Sequence, residues 1–244
     1  MSAEKTAAVL VIGNEVLSGK VEESNATFLI HQLRELGVPL RLVQVIPDEA
    51  PTIAEAVAAA SGKFDFVFTT GGIGPTHDDM TVPSIARGLG LEMELNSQLD
   101  ALLHRYCGGE PNEHLRRMAW VPKGSELLWA AGLTFPVLLV RNIYVFPGDP
   151  KILRKKFLAI RDRFRTAPYT LLKLFTTCEE GEIAAMMEEA EKRCPGVQIG
   201  SYPVYDNPEY KVQITVESKE PAKARETLSF LAAHIPAASI VRME

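Results

Sequence analysis

No apolar run in this 244-residue sequence approaches the roughly 18 residues that a membrane-spanning helix requires. The apolar stretch within the opening MSAEKTAAVLVIG is short and runs straight into a strand pattern, so a signal peptide is not expected either. Cysteine is scarce. Cys107, Cys178 and Cys194 are odd in number and lack metal-like spacing, which argues against a disulfide framework and for a reducing cytoplasm. Positive charge is in deficit, with 31 acidic against 26 basic side chains and a net charge of −5. A nucleic-acid partner, which needs a basic face, is therefore not expected. One basic cluster does occur, at Arg154, Lys155, Lys156, Arg161, Arg163 and Arg165. It alternates with Leu153, Phe157, Ile160 and Phe164, and reads as the solvated side of an amphipathic helix. Repeats and low-complexity segments are absent as well. What is there, 46% apolar and 23% charged residues, suits a globular protein with one large domain and a smaller one.

The first two thirds alternate strand and helix. Ala8 to Ile12 is a continuous apolar run, as in a strand covered on both faces, and Gly13 ends it. From Asn25 to Leu36, Leu29, Leu33 and Leu36 share a helical face, with Ser24 or Asn25 as cap and Gly37 as terminator. Leu40 to Ile46 is a second strand closed by Pro47-Asp48-Glu49. A helix over Pro51 to Ala60 then returns the chain to a third strand, Phe66 to Thr70. Further on, a helix is expected over Val82 to Leu89 with Thr81 as cap, and another from Ser97, read as the start of a capping box. Val137 to Val140 and Ile143 to Phe146 form a hairpin about Arg141-Asn142. Pro147-Gly148-Asp149-Pro150 follows and opens a helix through about Arg163. After a break near Arg165 to Thr170 come strands at Leu171 to Thr177, Val197 to Tyr202, Lys211 to Glu217 and Ser239 to Arg242. Helices at Glu182 to Arg193 and Ala222 to His234 complete a β-α-β-β-α-β order of ferredoxin-like type. The expected architecture is thus a three-layer α/β/α domain with a mostly parallel sheet over residues 1–167, then a small α+β domain over 168–244.

In wrapped parallel sheets, ligands collect at the carboxyl ends of the strands. Three polar clusters fall there: Asn14 and Glu15, Asp48 and Glu49, and Asp78 and Asp79. Taken singly, each acid reads first as a turn or cap residue. Taken together, they read as one site. The third strand leads into TTGGIGPTHDDM, whose glycines can adopt positive φ and bare their backbone N–H groups to a phosphate. Carboxylates beside such a turn supply hard oxygen ligands for a divalent cation. His77 is read as a turn residue, and Tyr202, Tyr205 and Tyr210 as ring-stacking or packing groups.

The motifs IGNEVLSGKVEESNATFLIHQLRELGV, the PDE after the second strand and TTGGIGPTHDDMT resemble the molybdopterin-binding domain of molybdenum-cofactor biosynthesis and CinA-like proteins. GGIGPTHDD, FPVLLVRNIYVFPGDPKILRK and GSYP extend the resemblance, over nearly the whole chain, to the N-terminal half of eukaryotic FAD synthases. The resemblance implies a metal-dependent pyrophosphatase acting on FAD or ADP-ribose, using Mg, Mn or Co and with potassium a further candidate. Its implied partner is a nucleotide or pterin, and its implied assembly a homodimer. Asp48 and Asp79 are then the expected metal ligands. Asp78 ligates or acts as base, and Glu15 orients the water. Gly71, Gly72, Gly74, Pro75, Thr76, Asn25 and Gly148 are expected to bind phosphate. Asn14 stands where many relatives carry an acid, and Asp149 occupies a variable place suited to a helix cap. The alternatives are a molybdopterin-binding protein promoting adenylyl transfer, which needs the same turn and acids, and a non-catalytic module of the same fold.

Overall fold

Six consecutive residues buried to 3% exposure or less, Ala7 to Ile12, leave no solvated edge to the first strand. It is accordingly an interior strand in the computed structural model, which describes residues 4–244 and divides into two compact units after Thr166. The first unit runs β1 (Ala7–Ile12), α1 (Asn14–Leu17), α2 (Asn25–Glu35), β2 (Leu40–Ile46), α3 (Ala50–Lys63), β3 (Phe66–Thr70) and α4 (Thr81–Leu89). It continues through β4 (Met93–Leu95), α5 (Ser97–Cys107), α6 (Glu113–Arg117), β5 (Trp120–Pro122), β6 (Glu126–Leu128), β7 (Val137–Val140), β8 (Ile143–Phe146) and α7 (Pro150–Ile160). Its main sheet has the order β2-β1-β3-β8-β7-β6. The first four strands are parallel, β7 runs antiparallel to β8, and β6 runs antiparallel to β7.

Alternation along β1 sends Ala7, Val9 and Val11 to one face and Ala8, Leu10 and Ile12 to the other. The first set packs with Phe68, with Leu29 and Leu33 of α2, and with Leu153 and Phe157 of α7. The second meets Val67, Ile53 and Val57 of α3 and Ile85 of α4. That is the three-layer sandwich. Phe164 adds an edge-on aromatic cluster, 5.0 Å from Phe68 and 4.8 Å from Tyr144 between ring centres. Gly88 of α4 lets α3 come close, because a Cβ there would sit 2.3 Å from the Ala54 carbonyl oxygen.

The caps differ from the sequence expectation. Asn96, not Ser97, caps α5, since its side chain accepts from the N–H groups of Gln98 and Leu99. Thr81 is the first residue of α4, and its hydroxyl donates to the Gly71 carbonyl instead of capping the helix. At α2 the Glu23 carboxylate, rather than Ser24 or Asn25, accepts the first N–H groups.

The second unit comprises β9 (Thr170–Thr176), α8 (Glu180–Arg193), β10 (Gln198–Pro203), β11 (Val212–Ser218), α9 (Pro221–His234) and β12 (Ile240–Met243). All neighbours are antiparallel in the order β10-β11-β9-β12, the ferredoxin-like arrangement. Leu174, Val212, Ile214 and Val216 form its core against Ile183 and Ala190 of α8 and Ala224 and Leu231 of α9. Among the described residues, no helix is long and apolar enough to cross a membrane.

Candidate functional site

Parallel β2, β1 and β3 end side by side, which brings their following segments to one rim. Asp48, just past β2, is the link. Its Oδ2 accepts the Asn14 N–H at 2.7 Å, and its Oδ1 lies 3.5 Å from where a Cβ on Gly72 would stand. Glu15 folds back over Gly13, whose missing side chain leaves room for the carboxylate. Burial pushes the Asp48 carboxyl up, the Asn14 N–H pulls it down, and the charges of Glu15, Asp78 and Asp79 raise it further. Acids from three separate strand ends therefore share one field.

The turn after β3 is set by Gly71. Its φ is +104°, and a Cβ would lie 2.0 Å from the Ile12 carbonyl oxygen, so only glycine passes. The Gly71 N–H donates to the Phe146 carbonyl at 3.2 Å and is not offered to a ligand, contrary to the phosphate-binding expectation. The next three N–H groups, of Gly72, Ile73 and Gly74, make no hydrogen bond among the described residues. They form the bare part of the turn. Thr76 turns inward: its N–H donates to Asp79 Oδ2 at 2.8 Å, and its hydroxyl donates to the same oxygen. Thr76 thus orients Asp79, whose Oδ1 is left for a ligand. Pro75 has no N–H and serves as geometry. Asp78 is exposed and held below the usual carboxylate range, first by the Thr76 hydroxyl, whose one hydrogen can serve either it or Asp79, then by its own backbone N–H and by His77. The His77 side chain is 94% exposed.

Asn25 and Gly148 belong to a clamp beneath the turn. The Asn25 side-chain amide donates to Thr70 Oγ1 at 2.9 Å and to the Gly148 carbonyl at 2.8 Å, and the Thr70 hydroxyl donates to the Pro147 carbonyl. With both amide hydrogens used, Asn25 has no donor for a phosphate, so its part is positional. Gly148 likewise contributes its carbonyl to the clamp, and a Cβ on it would stand 3.5 Å from the Gly71 Cα. Asp149 caps α7 by accepting the Ile152 N–H at 2.9 Å.

Beside the turn opens a cavity of about 400 Å³. Gly72 to His77 form one wall, and Met80, Met118, Trp120, Phe135 and Leu138 supply an apolar lining. Lys156 lines it as well. It is only 9% exposed, which corrects its assignment to a solvated helix face. Its position was readable, since Leu153, Lys156, Phe157 and Ile160 fall at i, i+3, i+4 and i+7, one helical stripe. The ammonium donates to the Pro136 carbonyl at 2.6 Å, and burial alone depresses its pKa to about 8.

No group of three or more His, Cys, Asp or Glu side chains among the described residues forms a ready-made metal cage. Asp48 and the Oδ1 of Asp79 are the oxygen donors on this rim with the chemistry of a hard divalent ion that takes one or two carboxylates and completes its shell with water and substrate phosphate. The mutual repulsion at Asp48 is what such a cation would relieve.

Residues 8–165 match the family model described as a probable molybdopterin binding domain, and residues 168–244 the model described as FAD synthase, middle domain. A probable FAD synthase of Caenorhabditis elegans is 32% identical over 90% of this chain and 48% of its own length. A protein of Archaeoglobus fulgidus is 33% identical over 80% of this chain and 84% of its own. The crystal structure of the protein CinA from Thermoplasma acidophilum is 28% identical and superposes with a TM-score of 0.62 over 67% of this chain and 99% of that one. This chain spans about half the length of the FAD synthase relatives it matches.

Proposed function

The chain belongs to the molybdopterin-binding domain family, and on that footing we propose that the rim of its first unit hydrolyses the diphosphate linkage of a nucleotide such as FAD or ADP-ribose. The observation that carries this reading is Asp48, bonded to the Asn14 N–H just past β1 and close to Gly72 of the turn after β3, which sets a carboxylate beside unbonded backbone N–H groups.

The N–H groups of Gly72, Ile73 and Gly74 hold one phosphate by donation, which also stabilises the charge that builds on its oxygens as water attacks. Asp48 and Asp79 hold the divalent ion, with Thr76 fixing Asp79. When bound, that ion supplies positive charge to the diphosphate oxygens and acidifies water. Asp78, exposed and held in its ionised form, takes the proton of the attacking water, and Glu15 orients that water. Water adds to one phosphorus, the bridging P–O bond breaks, and the second phosphate leaves with its own nucleoside or sugar.

Incubation with FAD or ADP-ribose and Mg²⁺, Mn²⁺ or Co²⁺ should release AMP. Asp79→Ala should lower turnover by about 100-fold or more while the thermal transition stays near that of the wild type. No metal-dependent AMP release from either compound would sink the reading. Tight molybdopterin binding without hydrolysis would favour the pterin-binding alternative.

A further inference from the structure

Lys156 is a buried cation that the hydrolytic site does not use. On α7, it lines the cavity beside the glycine turn together with Met80, Met118, Trp120, Phe135 and Leu138, and its ammonium lies on the Pro136 carbonyl. An ammonium carries three donors. Here one is used, on the neutral Pro136 carbonyl, and no carboxylate forms an ion pair with it among the described residues. A buried charge with one neutral acceptor is costly, and burial alone accounts for its depressed pKa. Nothing in the packing of α7 requires the charge, since Leu153, Phe157 and Ile160 bury the same stripe without it.

The cavity itself supplies the second observation. Its volume of about 400 Å³ lies within the range of small-molecule sites, and its lining of methionine and aromatic side chains suits a flat ring. One wall is the turn whose N–H groups are bare, so a ring entering the cavity can remain joined to a phosphate on that turn.

We propose that Lys156 is a specificity-determining residue that donates to a ring oxo group, selecting nucleotides whose buried ring edge carries carbonyl oxygens over those whose edge carries an amino group. Such oxo-rich rings are those of flavins, pterins and oxopurines. An adenine edge would set an amino donor against the ammonium, whereas a ring carbonyl accepts from it and relieves the unpaired charge. The assignment rests on the proposed phosphate site for the ring's anchoring, but it concerns binding and not bond cleavage.

The test compares FMN and AMP as probes of the full chain without metal ions, so that no turnover intervenes, by titration calorimetry and by quenching of tryptophan fluorescence, Trp120 lying in the cavity wall. The wild type should bind FMN more tightly than AMP. Lys156→Met, which keeps the bulk and removes the donor, should weaken FMN by about tenfold or more and leave AMP within about twofold. Lys156→Gln, which retains a donor, should recover part of the loss. With hydrolysis active, Lys156→Met should raise KM for FAD by a larger factor than KM for ADP-ribose. Equal FMN affinity in wild type and Lys156→Met, parallel loss of both probes, or no FMN binding by the wild type would overturn the assignment. A chain that binds FMN through Lys156 yet releases no AMP would overturn only the hydrolytic reading.

Discussion

Lys156 is a buried charge on one neutral acceptor, and that charge sets a pH dependence for the first unit. Its pKa falls from 10.5 to about 8, so below about pH 8 folded and unfolded states both hold the proton and the full burial cost applies. That cost is on the order of 3 kcal/mol. Between about pH 8 and pH 10.5 the folded state gives up its proton first, the unfolded state binds more protons, and stability rises with pH. Lys156→Met should therefore raise the urea midpoint at pH 7. The gain should be partial, roughly 1–2 kcal/mol, because the Pro136 carbonyl loses its donor. It should shrink steadily as pH approaches 10.5. A variant no more stable than the wild type at pH 7 would mean that the ammonium is better solvated than its burial implies. Retaining a residue that costs stability is the pattern of a functional site.

Helices α3 and α4 pack through Gly88, and this contact tests an element-scale balance. Replacing glycine by alanine inside a helix ordinarily stabilises it by roughly 0.5–1 kcal/mol. Here the new methyl would meet the Ala54 backbone 2.3 Å away, and backbone cannot step aside as a side-chain tip can. Gly88→Ala should thus be destabilising on balance, by roughly 1–3 kcal/mol in chemical denaturation. An increase in stability would show that α4 shifts freely on the sheet. The sequence revealed most of these elements because their patterns are unambiguous: β1 is a continuous apolar run, β3 a run of aromatic and β-branched residues, and Leu29 and Leu33 of α2 repeat at four residues. Caps were less readable. Several side chains near each start can accept an N–H, and only the observed backbone path decides that Asn96 does so before α5 and Glu23 before α2. The short β4, α6, β5 and β6 were not anticipated. Strands of three residues, and one helix of five, carry too little periodicity to stand out.

Across the whole chain, the strand-end rule placed Glu15, Asp48 and the Asp78-Asp79 pair on one rim without any contact being known. What it did not resolve was the division of labour. Donors that look alike in sequence are spent differently: Gly71 on the Phe146 carbonyl, Thr76 on Asp79, Asn25 on Thr70 and Gly148, whereas Gly72, Ile73 and Gly74 stay unbonded among the described residues. The Asn25 clamp has a consequence on another axis, that of time. It fastens the start of α2, the end of β3 and the loop ahead of α7, segments separated by 45 and 123 residues from Asn25. Segments held by a shared lock open together, as one cooperative unit. In Asn25→Ala, amide hydrogen exchange should therefore accelerate concertedly around residues 25–29, 69–72 and 146–150, by about tenfold or more, while β9 to β12 keep their protection. Acceleration confined to α2 would mean that the three opened independently. Coordinated opening would make the two sides of the glycine turn loosen on a single clock, so the rate at which the rim rearranges would be set by one amide side chain.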